Sequence, residues 1–139
     1  MLRGLATVNF SADDLEAAKK WYVELLGAEP YFERSVDGRT VAYYEFRIGD
    51  YQAELGLIDR RYAPPGASDA PGGAVVHWHV DDVRATLDRL LSMGATPYTP
   101  LTEYGPGFVA ASVTDPFGNV LGIMYNQHYL EVLGSKAGA

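Results

Sequence analysis

The sequence contains no cysteine. Disulfides, thiolate nucleophiles and cysteine-ligated metal sites are thereby excluded. No apolar run approaches the roughly 20 residues that cross a bilayer, and the first residues lack the long apolar core of a secretory signal. The expectation is a cytoplasmic protein with no membrane partner. Positive charge is also scarce: 11 Lys and Arg stand against 18 Asp and Glu, for a net charge of −7. That balance disfavours nucleic acid and anionic membrane as partners. It is compatible with a cationic ligand, although acidity serves solubility first. What is present is apolar content: 47% of 139 residues. A chain of this size forms one domain and buries roughly two thirds of its unfolded surface.

The stretch Val75-Val76-His77-Trp78-His79-Val80-Asp81-Asp82-Val83 reads as a strand entering a helix. Val76, Trp78 and Val80 alternate with Val75, His77 and His79, so one face is apolar and the other carries two imidazoles. Asp81 or Asp82 can cap a helix whose apolar positions are Val83, Leu87, Leu90 and Leu91. A similar unit, Thr7-Val8-Asn9-Phe10-Ser11-Ala12-Asp13-Asp14-Leu15, stands 68 residues earlier, and Gly27-Ala28 is repeated as Gly94-Ala95. One motif is used twice.

In chain order, residues 5–11 predict a strand with Ala6, Val8 and Phe10 on one face and Thr7, Asn9 and Ser11 on the other. Asp13 as N-cap with Glu16 forms a capping box, and Gly27 stops the helix. Strands follow at 31–36, 40–48 and 51–58, turned at Asp37-Gly38 and Gly49-Asp50. The last places Gln52, Glu54 and Gly56 opposite Ala53, Leu55 and Leu57. Residues 59–73, with four Gly or Pro between 64 and 71 and no apolar period, predict a linker containing a solvated Arg60-Arg61 pair. The second module covers about 74–126: a strand at 74–80, a helix over 83–93, an irregular edge strand at 96–101 broken by Pro97 and Pro100, and strands at 108–114 and 120–125. Residues 127–139 predict a tail, frayed from Gly134.

Each half therefore reads βαβββ. With Asp14-Leu15-Glu16-Ala17-Ala18, Trp21 to Gly27, Val80-Asp81-Asp82-Val83, Met93-Gly94-Ala95 and Asp115-Pro116-Phe117-Gly118-Asn119, the chain resembles the vicinal oxygen chelate superfamily of glyoxalases, bleomycin resistance proteins and dioxygenases. The resemblance covers nearly all of residues 5–126. It implies an α+β fold of two βαβββ modules whose mixed sheets curl around a shared cavity, with helices outside, and a homodimer. It also implies metal-ligand positions at Thr7, Glu54, Val75 and Gly122. Of these only Glu54 is a good ligand, and Val75 and Gly122 have no donor atom. The expectation is no metal there and no metal-dependent glyoxalase I activity.

The face opposite the apolar one carries Thr7, Asn9, Gln52, Glu54, His77, His79 and, in the last strand, Met124. These are the candidate ligand-binding residues. A carboxylate and imidazoles can exchange protons near neutral pH, so Glu54 and His77 are the candidate catalytic pair. The leading expectation is a protein that binds a small organic molecule in the cavity between the modules without the usual metal. The alternative is a lyase, isomerase or dioxygenase using Glu54 with His77 or His79, with or without a divalent metal at a displaced site. A purely structural role would leave these polar residues without purpose.

Overall fold

The computed structural model describes residues 1–64 and 70–137. The chain divides into two compact units, Met1–Asp69 and Ala70–Ala139. Among the described residues there are two four-stranded mixed sheets and three α-helices, an α+β architecture, and neither sheet closes on itself.

The first unit runs β1 (Thr7–Ala12), α1 (Leu15–Leu26), β2 (Phe32–Ser35), β3 (Val41–Ile48) and β4 (Ala53–Asp59). Its sheet order is β1-β4-β3-β2, with β1 and β4 parallel and the remaining pairs antiparallel. Because side chains alternate along a strand, one face collects Phe10, Tyr44, Phe46, Leu55 and Leu57, all buried. Helix α1 covers that face with Leu15, Ala18, Trp21 and Tyr22, all buried. Each fully buried large side chain contributes about 1.5–3 kcal/mol.

The helix starts one residue later than the capping box requires. Asp14, not Asp13, is the N-cap, accepting from the Ala17 N–H at 3.0 Å. Asp13 instead pairs with Arg60 at 2.9 Å, and Glu16 accepts from the Tyr44 hydroxyl at 2.5 Å. Gly27 ends the helix in the left-handed conformation with φ +69°.

The expected linker begins too early. Asp59 completes β4, and Arg60–Tyr62 form a 310 turn capped by the Asp59 carboxylate. The Arg60-Arg61 pair is not simply solvated: Arg60 reaches Asp13 and Ser11, and Arg61 binds both oxygens of Asp59. Residues 65–69 of that segment lie outside the described residues.

The second unit runs β5 (His77–His79), α2 (Val83–Ser92), β6 (Thr96–Gly105), β7 (Phe108–Thr114), β8 (Val120–Asn126) and α3 (Gln127–Ala137). The order β5-β8-β7-β6 repeats the first topology, again with a parallel first pair. Asp82 caps α2 by accepting from Ala85 N–H. Val83, Leu87 and Leu90 are buried against β7 and β8, but Leu91 is exposed. Strand β5 is shorter than the sequence suggests. Its pairing is extended only by single backbone bonds at Val76 and Val80. Strand β6 is longer, and its prolines are absorbed by three register shifts against β7.

The tail is helical through Ala137, not frayed from Gly134. Asn126 Oδ1 accepts from the Tyr129 N–H at 3.3 Å at the start of α3, and the Tyr129 ring anchors its first turn on His79. Among the described residues no helix is long and apolar enough to cross a membrane.

Candidate functional site

The register of the first sheet sets the site. Across β1, β4 and β3 the rows are Thr7–Glu54–Arg47 and Asn9–Gly56–Glu45, and Ser11–Ile58–Tyr43 follows. All these side chains lie on the face away from α1. Glu54 stands in the first row, held from both sides. The Thr7 hydroxyl donates to its Oε2 at 2.5 Å, and the Arg47 guanidinium lies 2.9 Å from Oε1. Tyr31, which precedes β2, donates to Oε1 at 3.5 Å, and Arg47 lies over the Tyr31 ring at 4.7 Å.

These contacts shift the carboxyl groups in opposite directions. The Thr7 hydroxyl, then Arg47, hold the Glu54 carboxyl below the usual carboxylate range against an opposing effect of burial. Glu45 goes the other way. Burial first, then the charge of Glu54, push its carboxyl up. Its Oε1 accepts from Tyr43 Oη at 2.6 Å. Burial and the charge of Glu54 raise the Tyr43 phenol as well.

Gly56 makes the row possible. A Cβ there would fall 2.5 Å from Tyr43 Oη and 2.7 Å from Tyr43 Cε2, and would also collide with Asn9 Oδ1. The missing side chain lets Asn9 and Tyr43 lean together over the middle of the sheet.

Within the first unit Glu54 is paired with an arginine, whose charge is permanent. One expectation about this face is corrected. Gln52 is not in the strand. It sits in the preceding turn with φ +52°, its side chain donating to Gly49 O at 2.9 Å. Arg47, Glu45, Tyr43 and Tyr31 were not among the residues expected from sequence. The alternation of Tyr43, Glu45 and Arg47 with Ala42, Tyr44 and Phe46 is the signal that exposes three of them.

The second sheet carries the other candidates. Its rows are His77–Gly122–Ser112 and His79–Met124–Ala110. His77 is exposed, and its ring lies across Gly122, where a Cβ would fall 2.8 Å from its Cδ2. Ser112 is buried and shares a 2.5 Å hydrogen bond with Thr99. The His79 side chain is only 8% exposed. Its Nδ1 accepts from the Asn126 N–H at 3.2 Å, and its ring stacks on Tyr129 at 4.6 Å. Among the described residues its Nε2 is buried without a hydrogen-bond partner, the Asp81 carboxylate standing 3.7 Å away. His79 is thus an anchor for α3 rather than an open ligand contact. Met124 is half-buried, with Asn126 Nδ2 3.9 Å from its sulfur.

The sequence matches the Glyoxalase/Bleomycin resistance protein/Dioxygenase superfamily over residues 4–123. The chain belongs to this superfamily. A Mycobacterium bovis relative with the provisional name glyoxylase CFP32 is 29% identical over 137 residues. The match covers 94% of this chain and 49% of the relative, so the chain spans about half the length of the curated relatives it matches. A glyoxalase-related enzyme from Fulvimarina pelagi shares the fold with a TM-score of 0.68 at 21% identity, covering 90% of this chain and 89% of that one. A superfamily member from Sphaerobacter thermophilus gives 0.67 at 21% identity, covering 88% and 97%.

The metal of the superfamily does not fit the residues present. At the implied positions Thr7, Glu54, Val75 and Gly122, Glu54 has its oxygens engaged by Thr7 and Arg47. A cation placed there would face the guanidinium directly. The registers also show that Gly122 answers to Gly56, because His77–Gly122 occupies the place of Asn9–Gly56. The counterpart of Glu54 is Val120, which has no donor either. Among the described residues no group of three His, Asp or Glu is placed to hold a metal.

Proposed function

We propose that the chain binds a small organic molecule on the polar face of its first sheet, with Glu54 as the anchoring carboxylate and no divalent metal at the superfamily's position. The observation that carries this reading is the fixation of Glu54. Thr7 from β1, Arg47 from β3 and Tyr31 hold an ionised group on a face that does not serve the core. Groups locked this way present a fixed charge to a ligand without further ordering cost.

A thermal-shift screen of small organic compounds tests it. Compounds that raise the melting temperature of the parent should lose that effect on Glu54→Ala. No stabilising compound, or one equally effective on Glu54→Ala, would sink the reading. Stoichiometric metal in purified protein, lost on Glu54→Ala, would overturn its metal-free part.

The opposed shifts of Glu45 and Glu54 favour a second reading, an acid–base enzyme. There Glu54 is the base, and Glu45 replaces His77 as its partner. Turnover that falls equally on Glu45→Gln and Glu54→Gln would support it. The reading also includes a homodimer, since β2 and β6 are edge strands and Phe32 in the first and Tyr98 and Tyr104 in the second are exposed. Light scattering that shows only monomer at micromolar concentration would remove that part.

A further inference from the structure

Beside the Glu54 network the first unit has a pocket of about 390 Å³, within the usual range for small-molecule sites. Phe32, Tyr43, Ile58 and Tyr62 supply apolar walls, and Glu45 and Arg34 are its charged members. Phe32 and Tyr43 meet edge to face at 6.4 Å and form an aromatic corner.

Charge decides what fits. Arg47 is committed to Glu54 and to the Gln52 carbonyl. Arg34 is exposed to water and lies over the Phe32 ring at 5.9 Å. Glu45 is half-buried, and its Oε1 is met by a neutral hydroxyl, that of Tyr43. Its charge is less solvated than that of Arg34, so it gains more from an incoming opposite charge.

We infer that this pocket is a subsite for a planar aromatic ring bearing a protonated amine, with the ring against Phe32, Tyr43 and Tyr62 and the ammonium on Glu45. This deepens the reading above and rests on it, since it names the class of ligand that the first sheet's face takes. Burial and the charge of Glu54 push the Glu45 carboxyl up, and an ammonium against it opposes that shift by favouring the carboxylate. The acidic chain also raises the local concentration of cations.

The test uses three probes of one shape: tryptamine, tryptophol and indole-3-propionate. Each is titrated into the whole chain while backbone amide NMR shifts are followed. Tryptamine should move Ala42, Ile58 and Tyr62 and bind roughly tenfold or more tighter than tryptophol, as expected for one charge-assisted hydrogen bond. Indole-3-propionate should bind weakest. Glu45→Gln should reduce tryptamine to the affinity of tryptophol, Glu45→Asp should keep the preference, and Tyr62→Ala should weaken all three probes. Equal affinity for the probes, shifts elsewhere, or an unchanged preference in Glu45→Gln overturns the inference. Tightest binding of indole-3-propionate overturns it too, by assigning recognition to Arg34. If tryptamine fails while other organic compounds still depend on Glu54, only this inference falls. If no organic compound binds, the proposed function falls with it.

Discussion

The two sheets share one topology and one device, yet carry different chemistry. In each, a glycine in the last strand lies beside a polar residue of the first, Gly56 beside Asn9 and Gly122 beside His77. In each, the absent side chain is filled by its neighbours. On the first sheet the surrounding positions hold Glu54, Arg47, Glu45 and Tyr43, a charged network. On the second they hold Ser112, Thr99 and Met124, with no carboxylate in those rows. A repeated fold therefore fixes where side chains stand but not what they do. One half holds fixed charge, and the other uses an imidazole to fasten its terminal helix.

Substitutions can break this comparison at several points. The largest effect is expected at the glycines. Gly122→Ala would bring a methyl to 2.7 Å from the Val76 carbonyl oxygen, which is backbone and yields poorly. It should cost about 2–3 kcal/mol in urea unfolding, against about 1–2 for Gly56→Ala, whose obstacles are side chains. Equal costs would mean that the two glycines play the same part.

The two histidines come next. His79→Phe keeps a ring on Tyr129 but leaves the Asn126 N–H unpaired, and should cost about 1–2 kcal/mol. It should also speed amide exchange in α3. His77→Ala, at an exposed position, should stay within about 0.5 kcal/mol. A large cost at His77 and none at His79 would reverse their roles.

The helix caps should behave alike, since both halves begin their first helix with the same side-chain bond. Asp14→Ala and Asp82→Ala should each lower stability by about 1 kcal/mol. A cost at only one would show that the other is held by packing alone.

The smallest expected effect is a titration. Glu54 is depressed in the folded chain, chiefly by Thr7. Its contribution to stability is therefore present above the unfolded carboxylate range and is lost as pH falls through the lower, folded value. Thr7→Val should raise the Glu54 titration seen by carbonyl NMR and move the acid loss of stability to higher pH. An unmoved titration would leave Arg47 as its sole determinant.

Much of this was legible in the residues, because alternation and helical spacing are local. The strand parity that put Thr7, Asn9 and Glu54 on one face, the repeat at 68 residues and the stop at Gly27 follow from the sequence alone. Which aspartate caps α1 was not legible. Asp13 and Asp14 are equivalent locally, and Arg60, far along the chain, takes the first.

The sequence by itself determined the two-fold βαβββ plan, the apolar faces and the poverty of donors at the superfamily's metal positions. Tertiary structure alone decided which charges meet. Cross-strand register brings Arg47 to Glu54, and the preceding turn takes Gln52 out of the strand. The growth of α3 over His79 turns a candidate ligand contact into an anchor. Pairing between strands depends on register and on side chains distant in sequence, and neither is written in the spacing of any one strand.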